Sequence, residues 1–246
     1  LSGLSAWELA YCAAVLLASF ALRGSTGFGG FAAMPLLALV IPLKTLVPVW
    51  TLLTISSSAT LFGKDRKHVS MPMIWKILPA CLLGIVAGLF VFKWLDTVML
   101  ARALGVFVTG YGLFVLWQMR PGAAAGHAPR GLAQAASFMA GAMGTVFGTM
   151  ASVFFAIYMD AIRVAKDQFR GTLAALMMAM AVMRGVGYAA VGEFRMETLL
   201  MFAAALPIML LGIYLGDRVY TGLSEKTFRR IVCAILVLSG IPLMLK

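Results

Sequence analysis

Two glycine-rich stretches hold the residues best suited to gripping a small ligand. Gly24-Ser-Thr-Gly-Phe-Gly-Gly30 supplies hydroxyl donors at Ser25 and Thr26 and bare backbone at Gly27, Gly29 and Gly30. Glycines let successive N–H groups turn inward as an anion-binding nest. A helix starting at Phe28 would add its free N–H groups and the positive end of its dipole. Tight helix packing, which also selects glycine in membranes, is the other reading of the same residues. The second stretch sets Phe147-Gly-Thr149 against Phe28-Gly-Gly30 and offers Thr145, Gly148, Thr149 and Ser152. With fewer glycines, its nest is less complete.

Two cations stand close to these stretches. Arg184 lies within MAMAVMRGVGY at residues 178–188, deep in an apolar run. An arginine there costs at least about 2.5 kcal/mol on insertion scales and needs a partner. No carboxylate occupies an apolar segment at comparable depth; Glu193, nearest in sequence, lies in a loop. A bound anion, backbone carbonyls, or water reached by snorkelling could each serve. Arg23, just before the first glycine stretch, poses the same choice. Ser56, Ser57 and Ser58 make a polar notch, either bonded to their own helix or lining a pore.

The elements that must position these groups are membrane helices. The 246 residues are 62% hydrophobic and 12% charged, against roughly 25% charged in ordinary domains. Apolar tracts recur at Ala6–Leu22, Thr45–Phe62, Pro72–Phe92, Val98–Trp117, Leu173–Val191, Leu199–Leu215 and Ile231–Leu245, with the charges between them. This pattern implies an all-α polytopic membrane bundle. The first tract has no basic leader region and reads as a membrane helix, not a cleaved signal. The net charge of +11 would suggest nucleic acid in a soluble chain. Here it collects in short loops, and no nucleic-acid motif accompanies it.

The chain also repeats itself. PACLLGIVAG at Pro79–Gly88 returns as PIMLLGIYLG at Pro207–Gly216, and Leu95, Arg102 and Gly112 match Leu223, Arg230 and Gly240. Two membrane repeats are expected, 1–118 and 132–246, joined by a Pro/Gly/Ala linker at 119–131. Each half carries five apolar segments. The second of each, Phe28–Ile41 and Phe147–Met159, spans only about 20 Å as a helix, too short for a hydrocarbon core of about 30 Å. Short, glycine-interrupted segments at matching places in two halves point to a transport site. A crossing and a re-entrant hairpin fit equally well.

If the halves are inverted, most of the 20 Lys and Arg residues fall on one side, the other receiving Lys44, Lys93, Arg102, Arg195 and Lys246. If they are parallel, the basic 163–170 and 218–230 loops fall outside. The positive-inside rule prefers inversion, with both termini outside.

Enzyme chemistry has little to work with. The sequence has no Walker motif, no Ser/His/Asp set, no paired carboxylates on a helix face and no zinc-ligand spacing. Cys12, Cys81 and Cys233 sit singly in apolar tracts and read as small hydrophobes. No cofactor or metal is expected. No buried His or acid chain suggests a proton relay, which leaves a substrate-borne proton or Na+ open as the coupling ion. A homo-oligomer is compatible with all of this.

GSTGFGGFAAMPLLAL, an acid-free helix, a basic loop and LLGIVAG together resemble the first half of the TauE/SafE, or sulfite exporter, family of membrane proteins. GAMGTVFGTMAS followed by Gln168-Phe-Arg170-Gly-Thr172 is similar to that family's second glycine turn and its Phe-Arg-x-Thr helix start. The resemblance covers nearly the whole chain. It implies a multipass inner-membrane permease for small anions such as sulfite, sulfoacetate or other organosulfur anions. Gly27, Gly29 and Gly30 fall on the first glycine motif, with Phe31 where a third glycine is common. Met150–Val153 stands where the family often has Gly-Gly-Pro.

The reading is therefore a carrier with the two glycine turns meeting near mid-membrane. Ser25, Thr26, Gly27, Gly29, Gly30, Thr145, Gly148, Thr149 and Ser152 would line the site, and Arg23 or Arg184 would add charge. Alternating access would come from rocking one half on the other. An anion channel and a non-transporting scaffold or sensor are the rival readings.

Overall fold

The computed structural model describes residues 5–26, 33–65, 69–118, 131–149, 151, 154–155, 158, 166–218 and 236–245. Its helices are α1 (Ala6–Thr26), α2 (Ala33–Leu37), α3 (Leu43–Asp65), α4 (Met71–Trp94), α5 (Thr97–Gln118), α6 (Leu132–Phe147), α7 (Lys166–Ala190), α8 (Met196–Arg218) and α9 (Leu236–Leu245). No strand occurs among the described residues. Helices α1, α3, α4, α5, α7 and α8 are long and apolar enough to cross a membrane. The linker at 119–130 lies outside the described residues.

Local sequence explains the helix ends. Ser5 and Glu8 form a capping box at the start of α1: Ser5 N–H donates to Glu8 Oε2 (2.8 Å), and Glu8 N–H to Ser5 Oγ (3.3 Å). Pro72 sits in the first turn of α4, where no N–H is needed. Pro79 and Pro207, paired in the repeat, lie inside α4 and α8. Lipid offers the backbone no alternative partners, so both helices continue. Trp7, Trp75 and Trp94 project outward near helix ends, as expected of side chains anchored at the membrane–water interface.

Glycines set the packing. A Cβ on Gly88 would lie 2.8 Å from Ala142 O, and one on Gly84 would strike Phe138 O, so α4 and α6 touch backbone to backbone. The second repeat does the same with α1. A Cβ on Gly212 would lie 2.9 Å from Leu17 O, and one on Gly216 would strike Ala21 O. The repeated LLGI segments are thus packing faces. Further pairs follow the same exchange: α3 meets α7, α3 meets α8 as α7 meets α4, and Gly105 of α5 faces Gly240 of α9.

The helix directions can be read from two contacts. Ser70 N–H donates to Thr172 Oγ1 (3.0 Å), placing the starts of α4 and α7 at one end of the bundle. Leu89 packs on Gly187 toward the other end. Because α3 finishes at Asp65, beside the start of α4, it runs toward the end at which α7 begins. The third apolar segments of the two halves, α3 and α7, are therefore antiparallel. Of the six long helices α3 is the most enclosed; Trp50 stacks on Phe20 of α1 at 5.3 Å.

In the first glycine stretch α1 continues through Gly24 and Ser25 to Thr26, and α2 is described over Ala33–Leu37; the expected helix start at Phe28 lies outside the described residues. The chain still doubles back, since Tyr11 OH donates to Leu36 O (3.2 Å). In the second stretch α6 likewise runs through Gly141 and Gly144 to Phe147. Gly24, Gly141 and Gly144 are therefore helical. Cβ atoms on Gly24 and Gly141 would press on Ile213 O and Cys81 O, so these glycines permit close approach and form no break. The break falls at Gly148, whose φ of 72° is left-handed and costs any residue with a Cβ about 1–2 kcal/mol.

Candidate functional site

Helices α1 and α6 both end inside the bundle, and an arginine stands at each end. Arg184 lies on α7, and its neighbour Gly185 packs on Ile55 and Thr51 near the middle of α3. That places Arg184 deep in the membrane. Its Nη1 donates to Gly144 O, a carbonyl in the last turn of α6. One turn further along α7, Tyr188 OH donates to Thr145 O. The last four carbonyls of a helix have no partner within it, so Arg184 and Tyr188 close two that would otherwise be buried unpaired. The cation also suits the negative end of the helix dipole.

Arg23 occupies the last turn of α1. Its Nη2 donates to Ser58 Oγ at 2.7 Å, across to α3. Ser58 is fully buried, and Arg23 and Arg184 are 7% and 2% exposed. Both Nε–H groups are buried with no hydrogen-bond partner among the described residues. No carboxylate pairs with either guanidinium among the described residues. Two like charges thus face an apolar interior with unspent donors, a costly arrangement unless an anion joins them.

The glycine turn of the second half comes against the first half here. Gly148 meets Met34 of α2 and Val47 of α3, and Thr149 beside it is buried. Gly27, Gly29, Gly30 and Ser152 lie outside the described residues, as does the side chain of Thr26, the last residue of α1.

Two expected ligand donors are spent locally. Ser25 Oγ donates to Leu22 O (3.1 Å) and Thr145 Oγ1 to Gly141 O (2.7 Å). A hydroxyl in the last turn of a helix finds its own backbone before it finds a ligand. The carbonyl ends of α1 and α6 lie here, with Arg23 and Arg184 supplying positive charge; the expected helix N-terminus at Phe28 lies outside the described residues. Within the serine notch, Ser56 and Ser57 bond to Leu52 O and Thr54 O (3.1 and 3.2 Å). Ser58 alone of the three bonds across to α1. Tyr188 was not anticipated; its spacing of four from Arg184, on one helix face, is the signal that could have found it.

This geometry fits what the comparisons show. The family described as sulfite exporter TauE/SafE matches residues 11–243. A protein of Comamonas testosteroni named "Probable inner membrane transporter protein TsaS" is 28% identical over 199 residues, spanning 78% of this chain and 80% of that protein. No solved structure matches. The match runs through both buried arginines, both glycine stretches and all six long apolar helices: the chain belongs to the TauE/SafE family and is a multipass membrane transporter.

Proposed function

We propose that this transporter carries a small oxyanion across an inner membrane by alternating access, with Arg23 and Arg184 as the groups that hold its charge. The observation that carries the reading is the pair of buried guanidiniums that have, among the described residues, no carboxylate and no partner for their Nε–H groups. Guanidinium groups match oxyanions in geometry and charge. Sulfite is the anion that the family's description names; the proposal covers sulfur oxyanions and organosulfonates such as sulfoacetate. In this proposal Gly148 and Thr149 line the site, together with the Gly27–Gly30 turn and Ser152.

The repeats are assigned to 1–118 and 132–246, with both termini outside. The antiparallel course of α3 and α7 supports that inversion. Rocking one half against the other would then expose the arginines to each side in turn.

A thermal-shift screen of the purified protein against sulfite, sulfate, thiosulfate, sulfoacetate and simple carboxylates tests the reading. Sulfite or sulfoacetate should raise the melting temperature well above the carboxylates. Equal shifts for all, or none, would contradict an oxyanion site.

A further inference from the structure

The two arginines are held in unlike ways. Arg184 satisfies the backbone carbonyl of Gly144 at the end of α6, and Tyr188, one turn along α7, satisfies the next, that of Thr145. Withdrawing either leaves a buried carbonyl without a donor, because α6 has no further turn to supply one. A Cβ at Gly144 would lie 3.1 Å from Ala151 Cβ and 2.6 Å from Met180 Cε, so the contact is also enclosed by packing.

Arg23 is held instead by one serine hydroxyl. Ser58 loses little if the arginine leaves. Thr51, Thr54, Ser56, Ser57 and Thr60, its neighbours along α3, all donate to carbonyls of their own helix. Ser58 has the same option by a rotation of its side chain.

Resting on the transporter reading above, we infer that the two cations divide the work. Arg184 and Tyr188 form a fixed clamp that positions the end of α6. Arg23 is the exchangeable cation, and Ser58 is its internal competitor, displaced when an anion oxygen takes its place. Ser58 therefore sets affinity, whereas Tyr188 is a positioning residue that keeps the second half's broken helix in register through the transport cycle. Neither is a residue that its type alone would mark as functional.

The experiment measures sulfite affinity, sulfite counterflow rate and anion-free melting temperature for the unaltered protein and for Ser58→Ala, Ser58→Thr and Tyr188→Phe. Ser58→Ala removes the competitor and should tighten sulfite binding by about three- to tenfold, the equivalent of one modest hydrogen bond. Ser58→Thr keeps a hydroxyl acceptor and should restore the original affinity. Tyr188→Phe should leave affinity within about twofold yet slow counterflow by about tenfold. Both substitutions should lower the anion-free melting temperature by about 2–4 °C, because Ser58→Ala leaves a buried Arg23 donor without its acceptor and Tyr188→Phe leaves a buried carbonyl without its donor. Saturating sulfite should bring Ser58→Ala back to the unaltered protein's value and leave the Tyr188→Phe deficit in place. If Ser58→Ala weakens binding, or if saturating sulfite leaves both deficits in place, the division of labour is wrong. If the unaltered protein binds no sulfite while Tyr188→Phe still melts lower, the sulfite-site reading fails and the clamp stands.

Discussion

The two halves of this transporter agree at their seams and disagree at their centre. Along the seams, Gly84 and Gly88 of α4 meet Phe138 and Ala142 of α6, and Gly212 and Gly216 of α8 meet Leu17 and Ala21 of α1. Exchanging the halves therefore sets Leu17 against Phe138 and Ala21 against Ala142. Two positions further on, Arg23 falls on Gly144. The site that carries a cation in the first half carries only a backbone carbonyl in the second. That carbonyl receives its cation from α7, where the first half's α3 offers the hydroxyl of Ser58. Each half ties its first apolar segment (α1 or α6) to its third (α3 or α7) through one arginine, with the charge on opposite partners. The duplicated scaffold fixes shape, and the chemistry is free to be asymmetric within it.

The strongest way to break the comparison is at the seams. Gly84→Leu and Gly216→Leu each drive a side chain into a backbone carbonyl that cannot yield. Both should abolish folded yield, read as loss of the monodisperse peak in size-exclusion chromatography. Tolerance of one but not the other would show that the seams are not equivalent.

A smaller effect is expected at the turn between them. Gly148→Ala places a Cβ at φ 72° and against Met34, at a backbone cost of about 1–2 kcal/mol. The melting temperature should fall by about 3–6 °C, and the Met34→Ala background should recover only the steric part. Smaller still is the contact between the helix starts. Thr172→Val removes the acceptor for Ser70 N–H, a loss of about 0.5–1.5 kcal/mol. Hydrogen exchange at the Ser70 amide should quicken, with amides in the middle of α4 unchanged.

Much of this architecture was legible in the sequence because membrane physics writes in long strokes. The apolar tracts became helices, and the repeated Pro-x-x-Leu-Leu-Gly-Ile segments gave the seams. Arg184 drew notice because no other charge lies in the apolar run around it, residues 173–191. What stayed hidden depends on distance along the chain. Ser58 stood out as polar, but its partner Arg23 is 35 residues away on another helix. Tyr188 looked like an ordinary core aromatic until the end of α6 was in view. The glycine stretches misled most. Glycine serves both close helix approach and left-handed turns, and only the backbone tells Gly24, Gly141 and Gly144, which are helical, from Gly148, which turns.

The central claim is that two arginines, one from each half, jointly hold the transported anion. Counterflow of radiolabelled sulfite in proteoliposomes tests it most directly, comparing the unaltered protein with Arg23→Gln and Arg184→Gln. Preloaded unlabelled sulfite should accelerate label uptake by the unaltered protein, and each substitution should reduce that acceleration by at least about tenfold. Undiminished counterflow in either folded variant would contradict the paired-arginine site.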